Sequence, residues 1–222
     1  MCKMSARLDN QMPRLNPETS KNIQKKIEET ALDLFIRKGY AATSTREIAT
    51  AVGLTAGALY SHYPSKDALF AAVVTRRRRR LAEDTALRDV LHASRFPFDI
   101  PELARAIQHV IRGNRAYWML WYIDVLEFEG KHFRSQLAPK ALIGQPELQA
   151  RFHELRANHV LRVGPELAFV MVYMHLFNYF LIETVFGGDE HYGVSEARAI
   201  DAIADVFMHG VLNHSSPHAK EP

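Results

Sequence analysis

Residues 40–70, YAATSTREIATAVGLTAGALYSHYPSKDALF, decide how this chain folds. Ser44 followed by Glu47 is a capping box, so a helix is expected from Thr45. Ile48, Ala49 and Val52 give it an apolar face, and Gly53 supplies the left-handed residue that stops it. Thr55 caps a second helix that turns Leu59 inward and ends at Pro64. Two helices joined by a turn of about three or four residues containing Gly have the helix-turn-helix layout.

An ordinary helical hairpin shares the caps and the glycine turn, so the second helix must discriminate. A core helix carries a wide apolar stripe, whereas Ala56, Gly57, Ala58, Tyr60, Ser61 and His62 are small or polar. A helix start of this kind lets the backbone enter a groove closely, with base edges read from the first turn. Tyr60, His62, Tyr63 and Lys66 offer hydrogen bonds and charge to flanking phosphates. Arg46 is the best candidate for bidentate contact to a guanine.

The same residues resemble the TetR family of bacterial transcriptional regulators. The resemblance rests on Gly39-Tyr40, Thr43-Ser44-Thr45, Ile48-Ala49, Gly53-Leu54-Thr55, Gly57-Ala58-Leu59-Tyr60-Ser61-His62-Tyr63 and Ser65-Lys66, and spans residues 21–70. Tyr63 stands where Phe is usual, and Ala56 where a longer side chain often reads a base. The resemblance implies a homodimer, with one DNA-binding domain per subunit and a larger helical ligand domain. It implies that Ala56 and Gly57 lie against base edges, Ala56 offering at most contact to a thymine methyl. It further implies that Ser44, Thr45, Tyr60, His62 and Lys66 hold phosphates, Thr55 and Ser61 belonging to the same surface. Two subunits would then read a pseudo-palindromic operator with half-sites about 34–36 Å apart or a multiple of that.

Composition agrees. A chain of 222 residues with 47% hydrophobic content builds a sizeable core and is not wholesale disordered. Its one cysteine, Cys2, excludes a disulfide framework and fits a reducing cytoplasm, and no apolar signal core is expected at the front. Residues 1–92 hold 16 Lys/Arg against 10 Asp/Glu, while residues 93–222 hold 12 against 15. A basic front and a mildly acidic back suit a DNA reader joined to something that does not touch DNA.

The expected architecture is all-α, with about nine helices and no persistent strand alternation. A flexible arm covers 1–15. A three-helix domain, 16–66, starts at Asn16-Pro17 and is cored by Ile23, Ile27, Ala31, Leu34 and Phe35. A ligand-binding and dimerisation domain, 67–213, opens with one connecting helix over 66–92, and a tail covers 214–222. After a proline break at 93–101, helical stretches are expected near 101–113, 115–129, 147–160, 165–186 and 195–212, with loops at 130–146 and 187–193. Arg76 to Arg80 encircle their helix, as solvated charges or as contacts to phosphates. The stretch 168–186 has the length of a membrane span, but His175, Asn178 and Glu183 make burial within a protein the better reading. Resemblance assigns helices 165–186 and 195–212 to the dimer contact.

Tyr117, Trp118, Trp121, Tyr122, Asp124, Val125 and Phe128 share one broad helical arc. They form either plain core or an apolar pocket whose carboxylate orients a cationic or hydrogen-bonding effector. Tyr173, His175, Asn178 and Tyr179 are candidate polar contacts to it, or to a partner subunit. The resemblance implies a small-molecule effector without naming it. Catalysis is not expected: the second histidine of His153 to His159 falls two places late for a zinc HExxH site, and Glu129 to His132 lacks the companions a di-iron site needs. No cofactor or metal is expected. The alternative function is a helical carrier of a lipophilic molecule without DNA binding.

Overall fold

On the first helix Ala31 follows Ile27 by four residues and Leu34 and Phe35 follow Ala31 by three and four, and all four are buried. In the computed structural model, which describes residues 17–134, 143–187 and 193–211, this face holds together α1 (Pro17–Lys38), α2 (Thr45–Val52), α3 (Ala56–His62) and α4 (Lys66–Glu83). α2 contributes Ile48, Ala49 and Val52, α3 contributes Leu59, and α4 contributes Leu69, Phe70, Val73 and Val74. Ser65 caps α4 by accepting from the Ala68 N–H at 3.0 Å.

The remaining helices are α5 (Ala86–His92), α6 (Ile100–Gly113), α7 (Arg115–Phe128), α8 (Pro146–Ala157), α9 (Pro165–Phe186) and α10 (Glu196–Val211). α9 is the axis of this part and packs against α6, α7, α8 and α10. Arg115, at the start of α7, donates to Thr184 O near the end of α9 at 3.1 Å, while Trp118 meets Phe177 at 5.3 Å between ring centroids, so the two helices run antiparallel. α9 is long and apolar enough to cross a membrane. Its buried residues Phe169, Val172, Leu176, Phe180 and Leu181 pack within the domain.

The chain is all-α: every described element is a helix, and among the described residues there are ten, against about nine expected. The difference is the connecting helix, expected over 66–92, which breaks after Glu83. Asp84 turns its carboxylate onto the Ala86 N–H at 3.1 Å, and Thr85 Oγ1 donates to Asp89 Oδ2 at 2.6 Å. Short polar side chains that bond the backbone two residues on favour a turn over a continuing helix. The expected arm, the Asn16 cap and the tail lie outside the described residues, as do 135–142 and 188–192 of the expected loops.

The front helices are not an isolated unit. α7 packs against both α1 and α4. At its end Phe128 stacks on Phe70 of α4, centroids 4.8 Å apart, and meets Tyr40 edge-on at 4.5 Å.

Candidate nucleic-acid interface

Three local devices hold α2 and α3 at their angle. Ser44 Oγ accepts from the Glu47 N–H at 3.1 Å. The Glu47 carboxylate is held by the Lys38 ammonium and by the Ser44 backbone, which keep it below the usual carboxylate range. Gly53 sits at φ 84°, where a side chain would be strained, and its N–H bonds Thr50 O at 3.1 Å. Thr55 Oγ1 accepts from the Ala58 N–H at 3.1 Å. One support was not legible locally: Lys26 of α1 donates to Val52 O at 3.1 Å, satisfying a carbonyl at the end of α2.

This frame presents a short helix with one buried residue, Leu59, and a face that is small or polar. Thr55, Gly57, Tyr60 and Ser61 are exposed, and Ala56 and His62 are half-buried. A Cβ added at Gly57 would meet nothing nearer than Thr55 Oγ1 at 4.0 Å, so packing within the protein does not demand glycine there. Tyr60 is 48% exposed, and its hydroxyl bonds Thr45 Oγ1 at 3.0 Å, tying α3 to the first turn of α2. Ser61 Oγ donates to Ala58 O at 2.7 Å. Arg46 is exposed, and its guanidinium has no partner among the described residues.

Two residues expected at phosphates are engaged elsewhere. Tyr63 is 9% exposed, and its hydroxyl donates to Glu28 Oε1 at 2.7 Å. Burial, reinforced by that carboxylate, pushes its phenol well above the ordinary range. Lys66 donates to Tyr40 O at 2.8 Å and Thr43 O at 2.9 Å, approaches Ala41 O at 3.5 Å, and lies 4.0 Å over the Tyr40 ring. An ammonium has three donors, and here they are turned onto the loop carrying Ser44. Lys66 and Tyr63 thus act on the protein's own frame. Local sequence could not reveal this, because their partners lie 23 to 35 residues away.

The arginine run divides by depth. Arg76 bonds Glu28 at 3.0 Å and reaches Glu29 at 3.7 Å, while Arg78, Arg79 and Arg80 are exposed. Arg77 is half-buried, and its guanidinium is pushed down first by that burial and then by Arg80. With Lys21 and Lys25, four of the five arginines line an open groove of about 950 Å³ between α1 and α4.

The expected effector residues do not form one site. Asp124 is fully buried and spent: it accepts from His132 Nδ1 at 2.6 Å and from the backbone N–H groups of His132 and Phe133 at 3.2 Å. Phe128 belongs to the joint with α4. Tyr117 and Trp118 are buried, with Trp118 Nε1 donating to Ile111 O at 3.1 Å. Trp121 and Tyr122 are half-buried, and Trp121 Nε1 is buried without an acceptor. Tyr173 stacks on Phe169 and Phe177, and burial pushes its phenol up to about 12. His175, Asn178 and Tyr179 instead line a shallow apolar groove with Met171, Met174 and Ala202, of about 700 Å³, between α9 and α10. The periodicity of one helix could not tell which neighbour each side would meet.

Residues 27–73 match the family described as bacterial regulatory proteins, tetR family. The chain is 46% identical over 54 residues to the uncharacterized HTH-type transcriptional regulator YuxN of Bacillus subtilis, covering 24% of this chain and 19% of that protein. It is 30% identical over 104 residues to the HTH-type transcriptional regulator AcrR of Shigella flexneri, covering 46% of each. The matched segment thus spans less than half of these curated relatives. Across nearly its whole length the fold is similar to that of a TetR-family transcriptional regulator from Mesorhizobium loti MAFF303099, with TM-score 0.60, 22% identity, and coverage of 87% of this chain and 98% of that one.

Proposed function

We propose that this chain, whose residues 27–73 match the family described as bacterial regulatory proteins, tetR family, is a homodimeric TetR-family repressor that binds a pseudo-palindromic operator and leaves it when a small-molecule effector binds. It acts on DNA in the cytoplasm and not as an enzyme. The observation that carries this reading is the outward face of α3. It is a helix tip stripped of bulk at Ala56 and Gly57, framed by the Thr45–Tyr60 hydroxyl pair and the exposed Arg46. Small residues let the helix seat deeply in a major groove, and Arg matches the two acceptors of guanine. Ser44, Thr45, Tyr60 and His62 are assigned to phosphates. Thr55, Ser61, Ala56 and Gly57 line the groove contact. Tyr63 and Lys66 hold the frame.

The dimer contact is assigned to α9 and α10. Leu167, Met171, Met174 and Val206 are exposed there at 57%, 52%, 44% and 72%. Apolar side chains clustered on an open helix pair mark an interaction surface, and His175, Asn178 and Tyr179 belong to it. The effector site is assigned to the aromatic interior around Trp121, Tyr122 and Tyr173. Release follows if the effector favours a subunit arrangement with the wrong half-site separation. Selection of bound fragments from the host genome, with and without candidate effectors, tests the whole reading. Recovery of one palindromic sequence, lost on adding an effector, supports it. No enrichment over unselected DNA rejects it and favours a carrier.

A further inference from the structure

At the joint between α4 and α7, the His132 imidazole lies between two carboxylates from different parts of the fold. Its Nδ1 is 2.6 Å from Oδ1 of Asp124, on α7, and its Nε2 is 3.4 Å from Oδ1 of Asp67, in the first turn of α4. The ring is packed edge-on against Phe70 at 5.2 Å and Phe128 at 4.8 Å. Asp124 is sealed from solvent. Asp67 Oδ2 accepts from Lys131 Nζ at 3.0 Å, while its Oδ1 is buried and has no hydrogen bond. Glu127, which accepts from the Tyr40 N–H at 3.0 Å, Lys66 over the Tyr40 ring, and Tyr40 itself also stand at this joint.

A neutral imidazole has one N–H and one lone pair. With the N–H committed to Asp124, Nε2 keeps a lone pair, and it and Asp67 Oδ1 are two acceptors 3.4 Å apart. Protonation places a second N–H and a positive charge on the ring, with Nε2 3.4 Å from the carboxylate oxygen that lacks a donor. We propose that His132 is a proton-operated clamp: protonated, it bridges Asp124 to Asp67 and locks α4 onto the end of α7. Because the clamped form binds the extra proton, acid favours it and base releases it. α4 carries the frame of α2 and α3, so acid also restricts how that frame turns relative to α7. The clamp stands on this geometry alone, whereas its consequence for an operator rests on the proposed function.

A double-mutant cycle tests the clamp on the full chain. Asp67→Ala removes the far carboxylate, and His132→Asn keeps a donor toward Asp124 but cannot reach Asp67. The two changes are expected to couple by about fivefold in the urea-unfolding equilibrium at about pH 5.5 and by less than about twofold at about pH 8. Equal coupling at both pH values, or none at either, overturns the clamp. Where the double variant does not fold, nitrogen-15 NMR of the histidine rings decides. A slowly exchanging Nε2–H of His132 is expected at low pH in the wild type and absent in Asp67→Ala; identical spectra overturn the proposal. Binding of a selected operator should change between the two pH values by a factor at least about threefold different in Asp67→Ala. The same factor in both proteins, with coupling present in the cycle, overturns the link to DNA and leaves the clamp standing.

Discussion

Tyr63 donates its hydroxyl hydrogen to Glu28, which also holds Arg76, so one carboxylate pins the end of α3 and the middle of α4 to α1. Removing the hydroxyl with Tyr63→Phe should cost about 1–2 kcal/mol, because the acceptor is charged but keeps its arginine. Urea unfolding measures this, and DNA affinity per folded molecule should stay as it was.

The same phenol gives a pH dependence. Burial raises its folded-state value above the ordinary tyrosine range, so its contribution to stability is complete below about pH 10 and is lost as pH rises beyond. Tyr173, pushed up to about 12 by burial, adds to the same alkaline limb. Thermal midpoints should therefore fall more steeply above about pH 10 in the wild type than in a Tyr63→Phe, Tyr173→Phe double variant.

Lys66→Ala leaves the carbonyls of Tyr40 and Thr43 without their donor. We expect a loss of about 1–3 kcal/mol of stability and weaker DNA binding through the displaced Ser44 loop. The slope of affinity against salt should not change, whereas loss of a direct phosphate contact would reduce it by about one.

Gly57→Ala separates packing from recognition. The added methyl meets nothing nearer than Thr55 Oγ1 at 4.0 Å, and alanine in a helix is favoured over glycine by about 0.5–1 kcal/mol. The variant should be as stable or more so, yet bind its operator at least tenfold more weakly. Undiminished binding would show that α3 does not approach DNA at this point.

Arg46→Ala should relax discrimination at one base pair of the operator by about 1–3 kcal/mol, while affinity for unrelated DNA falls far less. Competition among operators with single base changes measures it. If the preferred base stayed the same at every position, Arg46 would have no reading role.

The helix boundaries and the turn were legible in the amino-acid order because their causes are local. Ser44, Thr55 and Ser65 each cap a backbone N–H three residues on, and Gly53 takes a φ that other residues resist. The small face of α3 needed no tertiary knowledge either, since only Leu59 had anything to bury. The break after Glu83 was also local in origin, in Asp84 and Thr85, but competed with a strong helical pattern on both sides.

Side chains long enough to choose among partners were another matter. Lys66 and Tyr63 had the right chemistry for phosphates, but carbonyls and a carboxylate brought near by the fold took their hydrogen bonds. Asp124 looked like a ligand's counter-charge until the turn after α7 folded His132 and two backbone N–H groups onto it. Chain order is enough where a group's partner lies within one helical turn. Where desolvated donors and acceptors must be matched across the core, only the packed arrangement of helices decides which pairs form.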